Sequence, residues 1–162
     1  PRRLADTGAD VPPRDDAKKG LLMKILAAVD GSPYTKRMLA YLAAHDDWLG
    51  PNHEYTVLHA VPPLPPRAAA VIERDTLKAY YEDEAEKVFK PIRAFFAKQG
   101  LAATFEAKVG PAAEAVISRV AKGRFDLVVM GSRGHGSFVN LVLGSVATKV
   151  LSETQVPVLL IR

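Results

Sequence analysis

The sequence predicts a doubly wound α/β domain, an open five-stranded parallel sheet with helices on both faces. Three observations predict it. Short apolar runs of strand length alternate with longer segments of helical periodicity, in the order β-α-β-α-β-α-β-α-β. The first run is apolar throughout, as suits a central parallel strand buried on both faces. Glycines gather after the fourth run, where an open α/β sheet places its ligand-binding loops.

The elements follow in order. Met23 to Val29 is the first strand. Ser32-Pro33 opens the first helix, Ser as N-cap and Pro at the first helical position. Met38, Leu39, Tyr41 and Leu42 carry its apolar face, and Gly50-Pro51-Asn52 stops it. Tyr55 to Val61 is the second strand. The run Pro62-Pro63-Leu64-Pro65-Pro66 reads as a stiff connector that is neither helix nor inner strand.

Ala68 to Lys98 is helical and rich in charge, with Leu77, Tyr80, Tyr81, Ala85, Val88 and Phe89 on its apolar face, continued by Ile92, Phe95 and Phe96. Pro91 inside it predicts a kink or break near Lys90. Ala103 to Val109 is a third strand whose alternation suits an edge-ward place. Gly110-Pro111 starts the third helix, which ends near Gly123. Phe125 to Met130 is the fourth strand, Val146 to Glu153 the fourth helix, and Val158 to Arg162 the fifth strand.

The chain has 162 residues, about half of them apolar, which is one ordinary domain with a sizeable core. Residues 21–162 read as that domain. Pro1 to Gly20 reads as a leader, with three prolines, mixed charges and no signal-peptide core. There is no cysteine, which excludes disulfides, thiol catalysis and thiolate metal sites. Net charge is +4, but the charges alternate in sign along the helices, which argues against a nucleic-acid partner. No apolar run approaches the roughly 18 residues of a membrane span. The expected setting is cytoplasmic, with no membrane partner.

The chemistry concentrates in Gly131-Ser-Arg-Gly134, nine further residues, then Gly144-Ser145. Glycines let backbone N–H groups approach an anion with no Cβ in the way. The helix that begins after Gly144 adds unpaired N–H donors and the positive end of a dipole. Gly131, Gly134, Gly136, Gly144 and Ser145, flanked by Met130 and Val146, therefore read as a cradle for a di- or triphosphate. The alternative is a glycine-rich turn between strand and helix. Arg133 reads either as a bidentate phosphate ligand or as an exposed cation. His135 is a weaker candidate for contact. Asp30, ending the first strand, reads as a ligand for ribose hydroxyls or a hydrated divalent metal, or as an Asx-turn capping the first helix.

Two better-known phosphate motifs are excluded. Gly131 to Ser137 has the glycine spacing of a P-loop but lacks its lysine. A dinucleotide fingerprint belongs after the first strand, where this chain reads Asp30-Gly31-Ser32-Pro33. His45, His53 and His59 show no metal-ligand spacing. The stripe Tyr80, Tyr81, Phe89, Phe95, Phe96 reads as core or subunit contact rather than a base-stacking platform.

The spacing G-x2-G-x9-G-[S/T] after a strand ending in Met-Gly resembles the nucleotide-binding loop of the universal stress protein family. Lys24-Ile-Leu-Ala-Ala-Val-Asp30-Gly-Ser, Val57-Leu-His-Ala-Val61 and Val156-Pro-Val-Leu-Leu-Ile-Arg162 match it in the same order. The resemblance, from about Met23 onward, implies an adenine nucleotide alpha hydrolase-like fold with strand order 3-2-1-4-5. It implies that the switch point lies between strands 1 and 4. It implies that Asp30 contacts ribose, that Ala28 lines the base pocket, and that the Ala60 backbone reads the adenine edge. It also implies ATP as ligand, with or without Mg²⁺, and a homodimer paired through the C-terminal strand.

Three functions remain: a nucleotide-binding regulatory protein with an unidentified protein partner, a slow ATPase or nucleotidyl transferase, and an interaction protein without nucleotide. The retained glycines and Ser145 argue against the last. An enzyme needs a positioned base and a charge at the leaving phosphates, and the loop has no lysine. No catalytic residue is identified. The expectation is an ATP-binding stress-response regulator with at most slow hydrolysis.

Overall fold

A computed structural model describes residues 22–136 and 142–162. Its elements are β1 (Lys24–Val29), α1 (Pro33–Ala44), α2 (Asp46–Leu49), β2 (Glu54–Val61), α3 (Pro66–Ala69), α4 (Arg74–Lys98), β3 (Ala103–Val109), α5 (Ala112–Lys122), β4 (Leu127–Gly131), α6 (Ser145–Glu153) and β5 (Val158–Ile161). The expected leader 1–20 and the loop residues Ser137 to Asn140 lie outside the described residues.

The five strands form one parallel sheet in the order β3-β2-β1-β4-β5. Alternate residues of each strand face opposite sides, and the sequence sorts them. Ile25, Ala27 and Val29 of β1, with Tyr55, Val57 and Val61 of β2, face α1 and α4. There they meet Met38, Leu42, Phe89, Ile92 and Phe96. Leu26, Leu58, Val128 and Met130 face α5 and α6, against Val116, Val120, Ala147 and Val150. The central strand β1 is thus apolar on both faces because both are covered. β3, at the sheet edge, is half-buried or exposed along its length.

Three local expectations are corrected. The first helix does not run unbroken to Gly50. It ends at His45, whose N–H donates to the Leu42 carbonyl, and α2 follows as one further turn. No Gly or Pro marks that break; Asp46 and Asp47 supply the acidic first turn that a new helix start favours. Pro66 is not part of the connector but opens α3, where a first-turn proline needs no N–H partner. The helical stretch expected from Ala68 is α3 and then, after residues 70–73, α4.

α4 also continues through Pro91 without a break. Pro91 is exposed, while Ala85 and Phe89 before it and Ile92 and Phe96 after it are buried. Four anchors on one face hold both halves against the sheet. That packing offsets the roughly 3 kcal/mol an interior proline costs. The aromatic stripe divides accordingly. Phe89 and Phe96 meet Phe105 edge to face, Tyr81 accepts a hydrogen bond from the Leu64 N–H at 2.9 Å, and Tyr80 is exposed.

Candidate functional site

In the order β2-β1-β4, the ends of β1 and β4 lie side by side, and the chain leaves them in opposite directions along the sheet. A crevice opens there for a topological reason. Its first wall is the turn after β1. Oδ1 of Asp30 accepts from the Ser32 N–H at 2.9 Å and from the Thr35 hydroxyl at 2.9 Å. The Thr35 hydroxyl accepts in turn from the Asp30 N–H at 3.1 Å. Ser32 caps α1 through its side chain, which accepts from the Thr35 N–H. Gly31 occupies the left-handed region at φ 76°, where a side chain would be strained. Of the readings of Asp30, the geometry therefore displays the Asx-turn.

Asp30 is also tied to β2 and to the loop after β4. Nδ1 of the buried His59 lies 2.8 Å from the Val29 carbonyl, and Nε2 of His135 lies 2.9 Å from the Asp30 carbonyl. Both ring nitrogens donate, since a carbonyl only accepts. Oδ2 of Asp30 accepts from the His135 N–H at 3.2 Å. Burial alone would raise the pKa of this carboxyl. The hydrogen bonds from Ser32 and Thr35, with the nearby His135, outweigh it and hold Asp30 below the ordinary aspartate value. It is an ionised, fixed acceptor at neutral pH.

The second wall is the loop after β4. The Ser132 N–H donates to the Ile161 carbonyl and the Gly144 N–H to the Ser132 carbonyl, both at 2.8 Å. These bonds fasten the loop to β5 and to the start of α6. The glycines have packing reasons to be glycine. A Cβ at Gly131 would lie 2.6 Å from Cβ of Tyr34, one at Gly134 would lie 2.4 Å from Oδ2 of Asp30, and one at Gly144 would lie 3.2 Å from Cα of Arg133. Gly136 sits at φ 95°, and among the described residues nothing lies within 4 Å of where its Cβ would be. Arg133 donates to the Tyr34 hydroxyl at 3.2 Å, with its guanidinium carbon 5.9 Å from the centre of that ring.

Ser145 begins α6 after Gly144, and among the described residues no side-chain cap closes that end. The N–H of Thr148 is the first to find an intrahelical partner, the Gly144 carbonyl at 3.0 Å. The N–H groups of Ser145, Val146 and Ala147 precede it, at the positive end of the helix dipole.

All ten residues singled out from the sequence, Ala28, Asp30, Ala60, Met130, Gly131, Arg133, Gly134, Gly144, Ser145 and Val146, line one cleft of about 360 Å³. That is within the range of small-molecule sites. His135 and Gly136 line it too. Leu58, Thr35, Ala112 and Val116 also line it and were not anticipated. Leu58 was within reach, since it stands two residues before Ala60 on the same face of β2. Val116 was not, because nothing local in α5 reports what stands across the sheet. The lining is of two kinds. Ala28, Leu58, Ala60, Val116 and Met130 offer an apolar wall. Asp30, Thr35, Arg133 and the start of α6 offer a fixed carboxylate, a hydroxyl, a cation and N–H donors. Among the described residues no three His, Asp or Glu side chains come together as metal ligands.

A sequence profile of the universal stress protein family matches residues 22–162. The chain is 36% identical over 138 residues to a universal stress protein of Thermus aquaticus, covering 85% of this chain and 97% of that one. Its fold matches an Arabidopsis thaliana universal stress protein family protein with AMP bound (TM-score 0.62, 16% identity, 86% of this chain and 90% of that one). It also matches an Archaeoglobus fulgidus universal stress protein in complex with dAMP (TM-score 0.60, 19% identity, 86% and 98%). Profile, relative and fold agree over the whole described domain: the chain belongs to the universal stress protein family.

Proposed function

We propose that the chain is an adenine-nucleotide-binding regulatory protein of the stress response, acting in the cytoplasm as a homodimer, with the nucleotide held at the ends of β1 and β4. One observation carries the reading: an apolar wall, a fixed carboxylate and a helix start with no side-chain cap among the described residues meet in one cleft. A nucleotide needs those three surfaces, for base, ribose and phosphate. Ala28, Ala60 and Met130 would flank the base, Asp30 the ribose hydroxyls, and Gly131, Arg133, Gly134, Gly144, Ser145 and Val146 the phosphate. That solved members of the same fold hold AMP or dAMP supports the reading. ATP is included among the ligands, with or without Mg²⁺, and occupancy is read by a protein partner.

The enzymatic reading gains nothing from the geometry. Glu114 is paired with Lys149, and Glu153 lies at the far end of α6 from the cleft. Neither is poised over the loop as a base. Hydrolysis of ATP should fall well below about 1 s⁻¹, the low end of ordinary turnover. Faster phosphate release, lost in Ser145→Ala, would make the chain an enzyme. Calorimetric titration with adenine and guanine nucleotides tests the binding. Saturable, one-to-one binding of an adenine nucleotide is expected, and the absence of any heat with every one of them would end the proposal.

A further inference from the structure

A second groove, of about 390 Å³, shares no lining residue with the nucleotide cleft. Val61, Ala107 and Val109, at the ends of β2 and β3, form its floor, and Leu77 and Tyr81 of α4 form its wall. The chain around it is thinly covered. From Pro62 to Glu84 no residue is buried, and the first side chain of α4 to reach the core is Ala85. Leu77 and Tyr81 are only half-buried, and Val109 is 50% exposed. Exposed apolar surface gathered in one concave place marks an interaction site.

The sheet edge beside the groove indicates what covers it. β3 pairs with β2 and, among the described residues, with no other strand. The Tyr55 N–H donates to the Ala102 carbonyl at 3.3 Å, and the Gly110 N–H to the Val61 carbonyl at 3.0 Å. Alternate residues of a parallel strand bond to a given neighbour, so Thr104, Glu106 and Lys108 turn their backbone groups to β2. Ala103, Phe105, Ala107 and Val109 turn theirs to the outer edge. Two of these, Ala107 and Val109, also floor the groove. An extended backbone is the partner whose donors and acceptors repeat at that spacing. Charge adds a third element. Lys78 is paired with Glu82 at 3.7 Å, whereas Arg74, also lining the groove, has no ion pair among the described residues. Asp75 follows it in sequence but stands roughly 100° round the helix axis from it.

We propose that the β3 edge and this groove bind an extended segment of a partner protein, which adds to the sheet as a further strand beside β3. Apolar side chains at alternate positions of the segment fill the groove against Leu77, Tyr81 and Val109. A carboxylate at the end nearest the start of α4 meets the Arg74 guanidinium. Backbone bonding to β3 sets the register, and the groove and Arg74 select the sequence. The surface is independent of the nucleotide reading.

The test is amide hydrogen exchange, read by NMR, on the full chain with a synthetic peptide of alternating Val and Thr that carries Asp at each end and blocked termini. With peptide at about ten times its Kd, exchange at Ala103, Phe105, Ala107 and Val109 should slow about tenfold. Ala107→Pro removes an outward N–H and no bond to β2, and should weaken binding about fivefold. The same peptide with Asn for Asp should bind about threefold more weakly to the parent and no more weakly to Arg74→Gln. Binding without protection of those four amides would overturn strand addition. Equal affinity of the parent for the Asp and Asn peptides would overturn the role of Arg74. No binding at about millimolar peptide would overturn the proposal outright. Protection present before peptide is added would overturn it too: the edge then belongs to a second copy if protection falls on dilution, and to the chain's own residues if it does not.

Discussion

Ser145→Pro isolates the helix start from everything else in the cleft. Ser145 is the first helical residue of α6, and Gly144 before it has φ −75° and ψ 160°. Proline favours the first helical position, and the residue preceding it favours this extended backbone. The ring therefore fits without moving the chain. It removes one N–H, and that N–H has no intrahelical partner to lose. A hydrogen bond to a charged group contributes about 1.5–3 kcal/mol, so nucleotide affinity should fall by about 10- to 150-fold. Ser145→Ala, which deletes the hydroxyl and keeps the N–H, should show how much of that loss belongs to the side chain. Titration with AMP measures the affinity, and thermal unfolding without ligand measures the fold. Stability within about 0.5 kcal/mol of the parent is expected, as for a surface change. A folded Ser145→Pro protein that binds AMP as tightly as the parent would refute the placement of the phosphate at α6.

Gly134→Val should lower stability by about 1–3 kcal/mol and weaken nucleotide binding together, because its Cβ would fall 2.4 Å from Oδ2 of Asp30; denaturant unfolding and titration read the two effects. Tyr55→Phe should cost about 1–3 kcal/mol, since the buried phenol donates to the Leu49 carbonyl at 2.5 Å and would leave it unpaired. Burial raises that phenol from 10.0 to about 12, so the folded chain keeps a proton that the unfolded chain gives up. This contribution is whole below pH 10 and is lost as pH rises through 12; stability curves of the parent should fall across that window more steeply than those of Tyr55→Phe. The carbonyls of Pro157 and Ile161 accept from the N–H groups of Val128 and Ser132, so by alternation the N–H of Leu160 faces the open edge of β5. Leu160→Pro should then disrupt a strand-paired homodimer, and light scattering that gives a single-chain mass for the parent at micromolar concentration would end that assignment.

The fold was legible because its main signals are local. The strands announce themselves as apolar runs, and Ser32-Pro33 announces α1. The neighbours that strand order brings together came from the family resemblance rather than from any residue pattern. What stayed hidden was decided at a distance. Pro91 says "break" locally, but four buried side chains of α4 pressed on the sheet decide otherwise. Arg133 is an ambiguous cation in sequence; its partner Tyr34 stands 99 positions away. Val116 lines the cleft only because α5 covers the same sheet face as β1 and β4, which no period within α5 can report.

The glycines show that a motif read as an anion cradle also answers to packing within the protein. Their spacing points to a cradle because a missing Cβ lets an anion approach. Yet at Gly131, Gly134 and Gly144 the atoms a Cβ would strike or crowd belong to the protein itself: Tyr34, Asp30 and the Arg133 backbone. The glycines let the described ends of the loop pack against α1 and the β1 turn, and the proposed anion would sit beside them at the start of α6. Replacing any of the three therefore perturbs loop and ligand at once, and loss of binding in such a variant cannot separate the two. The proline at position 145 can, because it subtracts a donor from the finished loop.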